Sequence, residues 1–340
     1  MTTLKEIGAE LGLSVTTVSR ALNGFPEVSS ATRDRVQKTA DRLGYRPSRV
    51  AQRLVTGRSG MVGMIVKIKP DMSADQTFFE ILTGLTAALA EREIDLVLAV
   101  DQGSDPVLPY KRLLERDILD GFILNAPEIN DLRVAFLRER GIPFVLHGQD
   151  RSEPDYPTYG IDNAGVSIDS VRLLSQLGHE QIALINGDLQ QSFAVDRETG
   201  FKRAAASLGL SSNHLRNGAS LESHGYTEAL DLLSQPNAPT AFICASTLIA
   251  AGVLQAIRDR GLAVPGDVSV IAHDDALPQT RAINFDPALT VTRAPLRDAC
   301  VPLASMLVDH LNGTPASELQ VFLKAELIVR GSTGPAPRRK

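Results

Sequence analysis

Tryptophan is absent from this 340-residue chain, and only two cysteines are present. Cys244 sits in a strand-like run and Cys300 in a helix-like one, so both are expected to pack as small hydrophobes rather than to form a bridge. No apolar run approaches the roughly 18 residues of a membrane helix. The opening residues lack the apolar core of a signal peptide, which points to a cytoplasmic protein. The common catalytic signatures are missing too: there is no G-x-x-x-x-G-K-S/T, no H-E-x-x-H, no paired C-x-x-C and no G-x-S-x-G. Six histidines are scattered without metal-ligand spacing. Neither a metal nor a cofactor is expected, and catalysis is the reading these absences oppose.

What is present begins with an uneven charge. The chain carries −5 overall, yet residues 1–58 hold ten Lys/Arg against five Asp/Glu, leaving −10 on the remainder. A small basic head on an acidic body suits a nucleic-acid reader whose body is kept off the polyanion. Within the head, Leu4, Ile7, Gly8 and Leu11 repeat at i, i+3, i+4 and i+7, one face of a short helix. Thr3 and Glu6 supply a capping box in front of it. Gly12 breaks the pattern, and Ser14 is a good N-cap for a second helix, Val15 to Leu22. Its Val18, Ala21 and Leu22 share a face, with Thr16, Ser19 and Arg20 elsewhere. Two helices joined by a short Gly-containing turn are the helix-turn-helix signature, with an ordinary helical hairpin as the plain alternative. A third helix starts at Ser29 or Ser30, buries Val36, Ala40 and Leu43, and stops at Gly44. Gly8 costs about 1 kcal/mol relative to alanine inside a helix; the pattern does not say whether close helix approach requires it. Tyr45-Arg46-Pro47 is an extended exit. RVAQRLV, capped by Ser48, is then a two-turn helix, marginal by itself in water.

From Gly60 the pattern alternates. MVGMIV, DLVLAV, GFILN, PFVLH, QIALIN, TAFICAS and VSVIAHD are short apolar runs, separated by amphipathic segments such as Phe79–Glu91, Ala164–Leu177 and Leu248–Arg260. This is the pattern of parallel sheets wrapped by helices, in two units that divide near Gly160. Ligands of such sheets bind off the carboxyl ends of the strands. Those ends are Asn125, His147 with Gly148-Gln149, Asn186, Ser246 and Asp274. Each one alone is equally a strand-capping residue.

SVTTVSRALNG, VSSATRDRVQKTADRLGYRPS and RVAQRLVTGRSGMVGMIV, followed by IDNAG, LGHEQIALING, RGLAVPGDVSVIAHDD and ELIVRGST, resemble the lactose-repressor (LacI/GalR) family of bacterial transcription regulators. The resemblance runs over essentially residues 2 to 333. It implies an N-terminal all-α helix-turn-helix head at 1–46 and a hinge helix or linker at 47–58. An α/β periplasmic-binding-protein-like core of two parallel-sheet subdomains follows: 59–160 with 291–319, and 161–290 with 320–333. The tail, 334–340, is proline-rich and basic and reads as disordered.

The same resemblance assigns roles. Val15, Thr16 and Arg20 would face base edges, with Thr3, Ser14, Ser19 and Asn23 near phosphates. Leu54 matches a leucine that wedges into the minor groove, and Ala51 lies on the facing side of paired hinges. In the core, Arg197 matches an arginine that grips sugar hydroxyls or carboxylates, and Asp274 an aspartate at a strand end. Phe78 and Phe79 match a paired aromatic region near the cleft and the dimer face. Asn125, His147, Gln149 and Ser246 complete the expected effector set. The departures are Ser246-Thr247 in place of Asn-Asp, Gly148 in place of Asp, and Ala294, beside Arg293, in place of Gln. They imply a roomier pocket with water in some hydrogen-bond sites, suited to a disaccharide or larger glycoside stacked on Phe or Tyr.

The function implied is a sequence-specific DNA-binding transcription regulator, a repressor of a carbohydrate-utilisation operon released by a sugar bound between the subdomains. Its partners would be a palindromic operator, a small-molecule effector and a second copy of the chain. The alternatives are a sugar-binding protein for transport, a corepressor-dependent regulator with a non-sugar ligand, and an enzyme on the same core.

Overall fold

Three short helices around one small apolar core open the chain. The computed structural model describes residues 2–45, 57–67, 76–101, 103–150 and 154–338. It divides into two units, Met1–Gly60 and Met61–Lys340. In the first, α1 (Leu4–Leu11) begins with the reciprocal cap read from the sequence. The Thr3 N–H donates to Glu6 Oε2 at 2.8 Å, and the Glu6 N–H donates to Thr3 Oγ1 at 3.3 Å. α2 (Val15–Leu22) is capped by Ser14 and α3 (Ser30–Arg42) by Ser29. Ile7, Val18, Ala21, Val28, Val36 and Ala40 form the buried interior. Gly8 now has its reason: a Cβ there would stand 2.6 Å from the Leu13 carbonyl oxygen, so only glycine lets the turn fold back onto α1. The expected hinge helix, with Ala51 and Leu54, lies outside the described residues.

The second unit alternates strands and helices. The first half runs β1 (Met61–Lys67), α4 (Gln76–Ala90), β2 (Asp95–Asp101), α5 (Leu108–Leu114), β3 (Gly121–Asn125), α6 (Leu132–Glu139), β4 (Phe144–His147) and β5 (Thr158–Ile161). The second runs α7 (Asn163–Gln176), β6 (Ile182–Asn186), α8 (Ser192–Ser207), β7 (Leu215–Asn217), α9 (Glu222–Leu233), β8 (Ala241–Cys244), α10 (Thr247–Asp259), β9 (Ser269–Asp274) and β10 (Thr290–Arg293). α11 (Cys300–Leu311), β11 (Gln320–Leu323) and β12 (Glu326–Ile328) finish it. One sheet has the order β11-β5-β4-β3-β1-β2, the other β12-β10-β9-β8-β6-β7. Every pairing is parallel except β10 with β12.

Both faces of each sheet are covered, which is why the strands read as continuous apolar runs. In the first sheet Ile123 and Val145 pack under α4 and α11, while Phe122, Leu124, Phe144 and Leu146 face the opposite core with Tyr110 and Leu137. The second sheet divides in the same two-residue period, with Ala183, Phe242, Val270 and Val291 on one side and Ile182, Leu184, Ile243 and Ile271 on the other. Cys244 and Cys300 are free and buried within these cores. Among the described residues, no helix is long and apolar enough to cross a membrane.

Three boundaries differ from expectation. β10 belongs to the second sheet, so the chain returns to the first subdomain after Arg293 rather than at 291. β11 pairs with β5 in the first sheet, so the final crossing is at Lys324–Ala325 rather than at 320. Strands as short as TVTR and QVFL show no usable period, which is why their sheet membership was not readable. The tail also departs from disorder as far as Ala336, whose N–H donates to Leu177 O at 2.8 Å. The Gly334 N–H donates to Ser269 Oγ at 3.0 Å, and the Gly334 carbonyl lies 3.1 Å from His179 Nε2. Composition missed this because a few backbone bonds to buried partners hold the segment, without any apolar stripe.

Candidate functional site

In the head, the polar residues of α2 stand where its apolar face leaves them. Val18 and Ala21 are buried, whereas Val15, Thr16 and Arg20 are exposed, Val15 by 47 %. An apolar side chain so exposed at the first turn of a helix suits contact with an apolar group such as a thymine methyl. The Arg20 carbonyl accepts from the Phe25 N–H at 3.0 Å, but its side chain is exposed and makes no hydrogen bond or ion pair among the described residues, so its guanidinium fork is available. Thr3 and Ser14 are spent partly as caps, each accepting from a backbone N–H. Asn23 donates its Nδ2 to Ser19 O at 2.8 Å, which holds the end of α2.

The core presents a second constellation. Asn125 and His147 are register partners at the ends of β3 and β4, and Asn125 Oδ1 lies 2.9 Å from His147 Nδ1. Burial draws the His147 pKa down to about 4, against the opposing pull of the Asp275 carboxylate. The ring is therefore neutral at pH 7. From the other subdomain comes Arg197 on α8, only 6 % exposed. Its Nη1 donates to Ala245 O at 2.7 Å and its Nε to Asn163 Oδ1 at 3.0 Å, and its guanidinium lies 5.3 Å from the Phe193 ring centroid. Burial lowers its pKa to about 10, opposed by Asp275 and Asp196, so it stays charged.

The two aspartates at the end of β9 separate by strand alternation. Asp274 is 1 % exposed; its Oδ2 accepts from Arg293 Nη1 at 2.6 Å and its Oδ1 from the Ala276 N–H at 2.8 Å. Asp275 points the other way, with its Oδ1 3.3 Å from His273 Nε2. Burial would raise its pKa, but the hydrogen bond with His273 and the charge of Arg197 outweigh burial and hold the carboxyl below the usual range. The carboxylate that shares an environment with Arg197 and His147 is thus Asp275, one residue beyond the one picked from the sequence.

The remaining candidates divide. Gln149 donates Nε2 to Asp196 Oδ2 at 3.2 Å, a contact from the first subdomain to the second. Ser246 uses its hydroxyl oxygen to cap α10, accepting from the Ile249 N–H at 3.2 Å. Asn186 is fully buried and bonds to Ala194 O and Asn217 Oδ1, away from the cleft set. Phe78 is half-buried in the first turn of α4, edge-on to Phe79 at 5.4 Å. Two residues on, Glu80 lines a cavity of about 650 Å³ shared with Asp275, Arg293, Arg297, Asp298 and Glu326. Asp275, Asn163, Asp196 and Glu80 were missed from sequence. The second aspartate of HDD and the IDNAG asparagine were the signals available.

The subdomains also touch through backbone. The Ser192 N–H donates to Pro127 O at 2.9 Å, and Glu128 and Gln191 form an isolated antiparallel bridge. The loop that reaches across is fixed by Asp131, which accepts from the Glu128 N–H at 3.0 Å and pairs with Arg133 at 2.6 Å. No group of side chains that could hold a metal ion occurs among the described residues.

A helix-turn-helix head joined to two parallel sheets that share a polar, charged cleft defines a DNA-binding regulator that senses a small molecule. The profile described as "Bacterial regulatory proteins, lacI family" matches residues 3–48, and that of a periplasmic binding protein-like domain matches residues 171–333. The chain belongs to the LacI family of bacterial transcription regulators. It is 41 % identical over 339 residues to the HTH-type transcriptional regulator AglR of Rhizobium meliloti (strain 1021), covering 99 % of this chain and 95 % of that one. The structure of a transcriptional regulator CelR–cellobiose complex is similar at a TM-score of 0.71 and 28 % identity, over 98 % of this chain and 100 % of that one. The lac repressor dimer bound to operator and an anti-inducer shares the fold, with a TM-score of 0.80 at 24 % identity over 98 % and 99 % of the two chains.

Proposed function

We propose that the protein is a cytoplasmic, non-catalytic repressor of carbohydrate-utilisation genes, which binds a palindromic operator as a homodimer and is released by a sugar in the core cleft. The observation that carries this is the convergence of Asn125 and neutral His147 from one sheet with buried Arg197 and Asp275 from the other. A charged donor, a charged acceptor and neutral polar groups around one space suit a polyhydroxylated ligand, because charge-assisted hydrogen bonds are short and directional. Asp275 takes the ligand-facing role expected of Asp274, and Gln149 and Phe78 flank the site. Val15, Thr16 and Arg20 read bases, with Thr3, Ser14, Ser19 and Asn23 at the phosphates, while Leu54 and Ala51 act as wedge and paired hinge contact.

The test is a gel shift with the full-length protein and duplexes selected from a random palindromic pool. Arg20→Ala is expected to cost the selected site roughly 1–3 kcal/mol while weak, salt-sensitive binding remains. Loss of specific and non-specific binding together, with a folded head, would remove α2 as the reader.

A further inference from the structure

The loop that crosses the cleft, Ala126 to Asn130, cannot take its shape from the chain alone. Two of its residues have left-handed backbone, Ala126 at φ 49° and Asn130 at φ 53°. Asparagine tolerates that region, but alanine adopts it only where its surroundings compel it. Asn125, just before the loop, is fixed by its pairing with β4. Beyond it the chain leaves the sheet.

What guides the loop from there is a pair of side chains. Asp131, with a side chain 3 % exposed, accepts the Glu128 N–H on Oδ2 at 3.0 Å and the Arg133 N–H on Oδ1 at 2.9 Å. Arg133 grips the same carboxylate with Nε at 2.9 Å and Nη2 at 2.6 Å. The same Nη2 donates to the carbonyls of Asn125 and Ala126, each at 3.3 Å. The fork thus ties strained Ala126 to the Glu128 peptide, on either side of Pro127. Burial would neutralise both groups, but the bonds between them keep Arg133 above its ordinary pKa and Asp131 below its own. At the far end, the Asn130 N–H donates to Asp150 O at 2.9 Å.

Pro127, held between these anchors, presents its carbonyl to the Ser192 N–H, and Glu128 bridges Gln191. Ser192 is the first residue of α8, so its N–H has no acceptor within the helix. A shift at Ala126 would turn the Pro127 carbonyl off its donor, and hydrogen bonds weaken steeply with angle.

We propose that Asp131 and Arg133 are positioning residues of the effector response, whose fork holds the loop in the one shape that lets the second subdomain clasp the first. This rests on the reading of the cleft as the effector site. Charge alone does not suffice for the role, because a lysine ammonium keeps the ion pair but not the planar two-point grip.

The experiment is residue-resolved amide hydrogen exchange on the full-length protein without ligand, comparing wild type with Arg133→Lys and Asp131→Asn. Asparagine still caps α6, and lysine still neutralises Asp131, so both variants should fold. The Ser192 amide has the Pro127 carbonyl as its acceptor, and its protection therefore reads the clasp. Each variant should speed its exchange roughly fivefold or more and leave the amides of β3 and β4 as slow as in wild type. A Ser192 amide that keeps its protection overturns the proposal. Equal acceleration in β3 and β4 also overturns it, because the pair would then only support the core. Calorimetry with cellobiose, maltose, melibiose and raffinose gives a second reading. Arg133→Lys should weaken the tightest of them by roughly 2- to 10-fold, the worth of one net hydrogen bond, and by much less once Ser192→Pro has removed the clasp. Equal losses in both backgrounds overturn action through the clasp. No binding by any of the four, with exchange changed as expected, overturns the sugar reading and leaves the positioning pair standing.

Discussion

The Ser192 N–H and the Pro127 carbonyl oxygen lie 2.9 Å apart and join the first turn of α8 in one subdomain to the loop after β3 in the other. A rotation of one subdomain that separates Ser192 from Pro127 would break this bond. Ser192 is the first helical residue of α8, a position where proline is tolerated because its missing N–H is not needed by the helix. Ser192→Pro should therefore delete the cross-cleft bond without removing any hydrogen bond of the helix, and Ser192→Ala controls for the change at this buried side chain. One net hydrogen bond is about 0.5–1.5 kcal/mol, so a ligand that favours the closed cleft should bind roughly 2- to 10-fold more weakly. Calorimetry reads this directly; unchanged affinity with a correctly folded variant would mean that closure does not depend on the clasp.

Asp274 and Asp275 should respond differently to the same change. Asp274→Asn loses a charge-assisted bond to Arg293 and weakens the cap on Ala276. The expected cost is roughly 1.5–3 kcal/mol in urea unfolding, toward the lower end because the Arg293 side chain is 35 % exposed. Ligand response should survive. A stable Asp274→Asn protein that has lost its response would reverse the two roles.

Acid should weaken the core before the carboxylates titrate. Burial lowers the pKa of His147 to about 4, and those of His179 and His273 in the same direction, from an unfolded value of 6.5. Between these values the unfolded chain binds the protons and the native one does not, so stability falls as pH drops from 6.5 toward 4 and is full above 6.5. One such group contributes a slope of up to about 1.4 kcal/mol per pH unit. His147→Gln should flatten the urea-unfolding curve across that window. An unchanged slope would mean that the ring is not held neutral.

Gly8→Ala tests the head. Helix propensity alone favours alanine by about 1 kcal/mol, but the Cβ would stand 2.6 Å from a backbone oxygen that cannot swing aside. The steric term should win, so hydrogen exchange in residues 4–42 should accelerate and operator affinity fall. Slower exchange would show that the turn can yield.

The legible parts of the fold were those with a strong period or a chemical punctuation mark. Thr3 with Glu6, Ser14 and Gly12 delimited the head helices, and the apolar runs ending at Asn125, His147 and Asp274 became β3, β4 and β9. Short strands such as Leu215–Asn217 and Thr290–Arg293 carried too few residues to show one. In the site, chain order located the end of β9 but not which carboxylate faced the ligand side. That depended on strand parity and on Arg293, which claims Asp274 from a neighbouring strand. Cross-subdomain contacts such as Gln149 with Asp196 join residues 47 apart and leave no local signature.

The central claim is that the cleft controls the head through a ligand held by Asp275 and Arg197. The direct measurement is fluorescence anisotropy of a labelled operator titrated with full-length protein at one fixed salt concentration, with and without a sugar that calorimetry shows to bind. Coupling between sites is typically about 1–3 kcal/mol, so the sugar should weaken wild-type operator binding by roughly 5- to 150-fold. Asp275→Asn should bind the operator as tightly as wild type and lose most of that response. A variant that responds normally, or a sugar that tightens wild-type binding, would contradict the account.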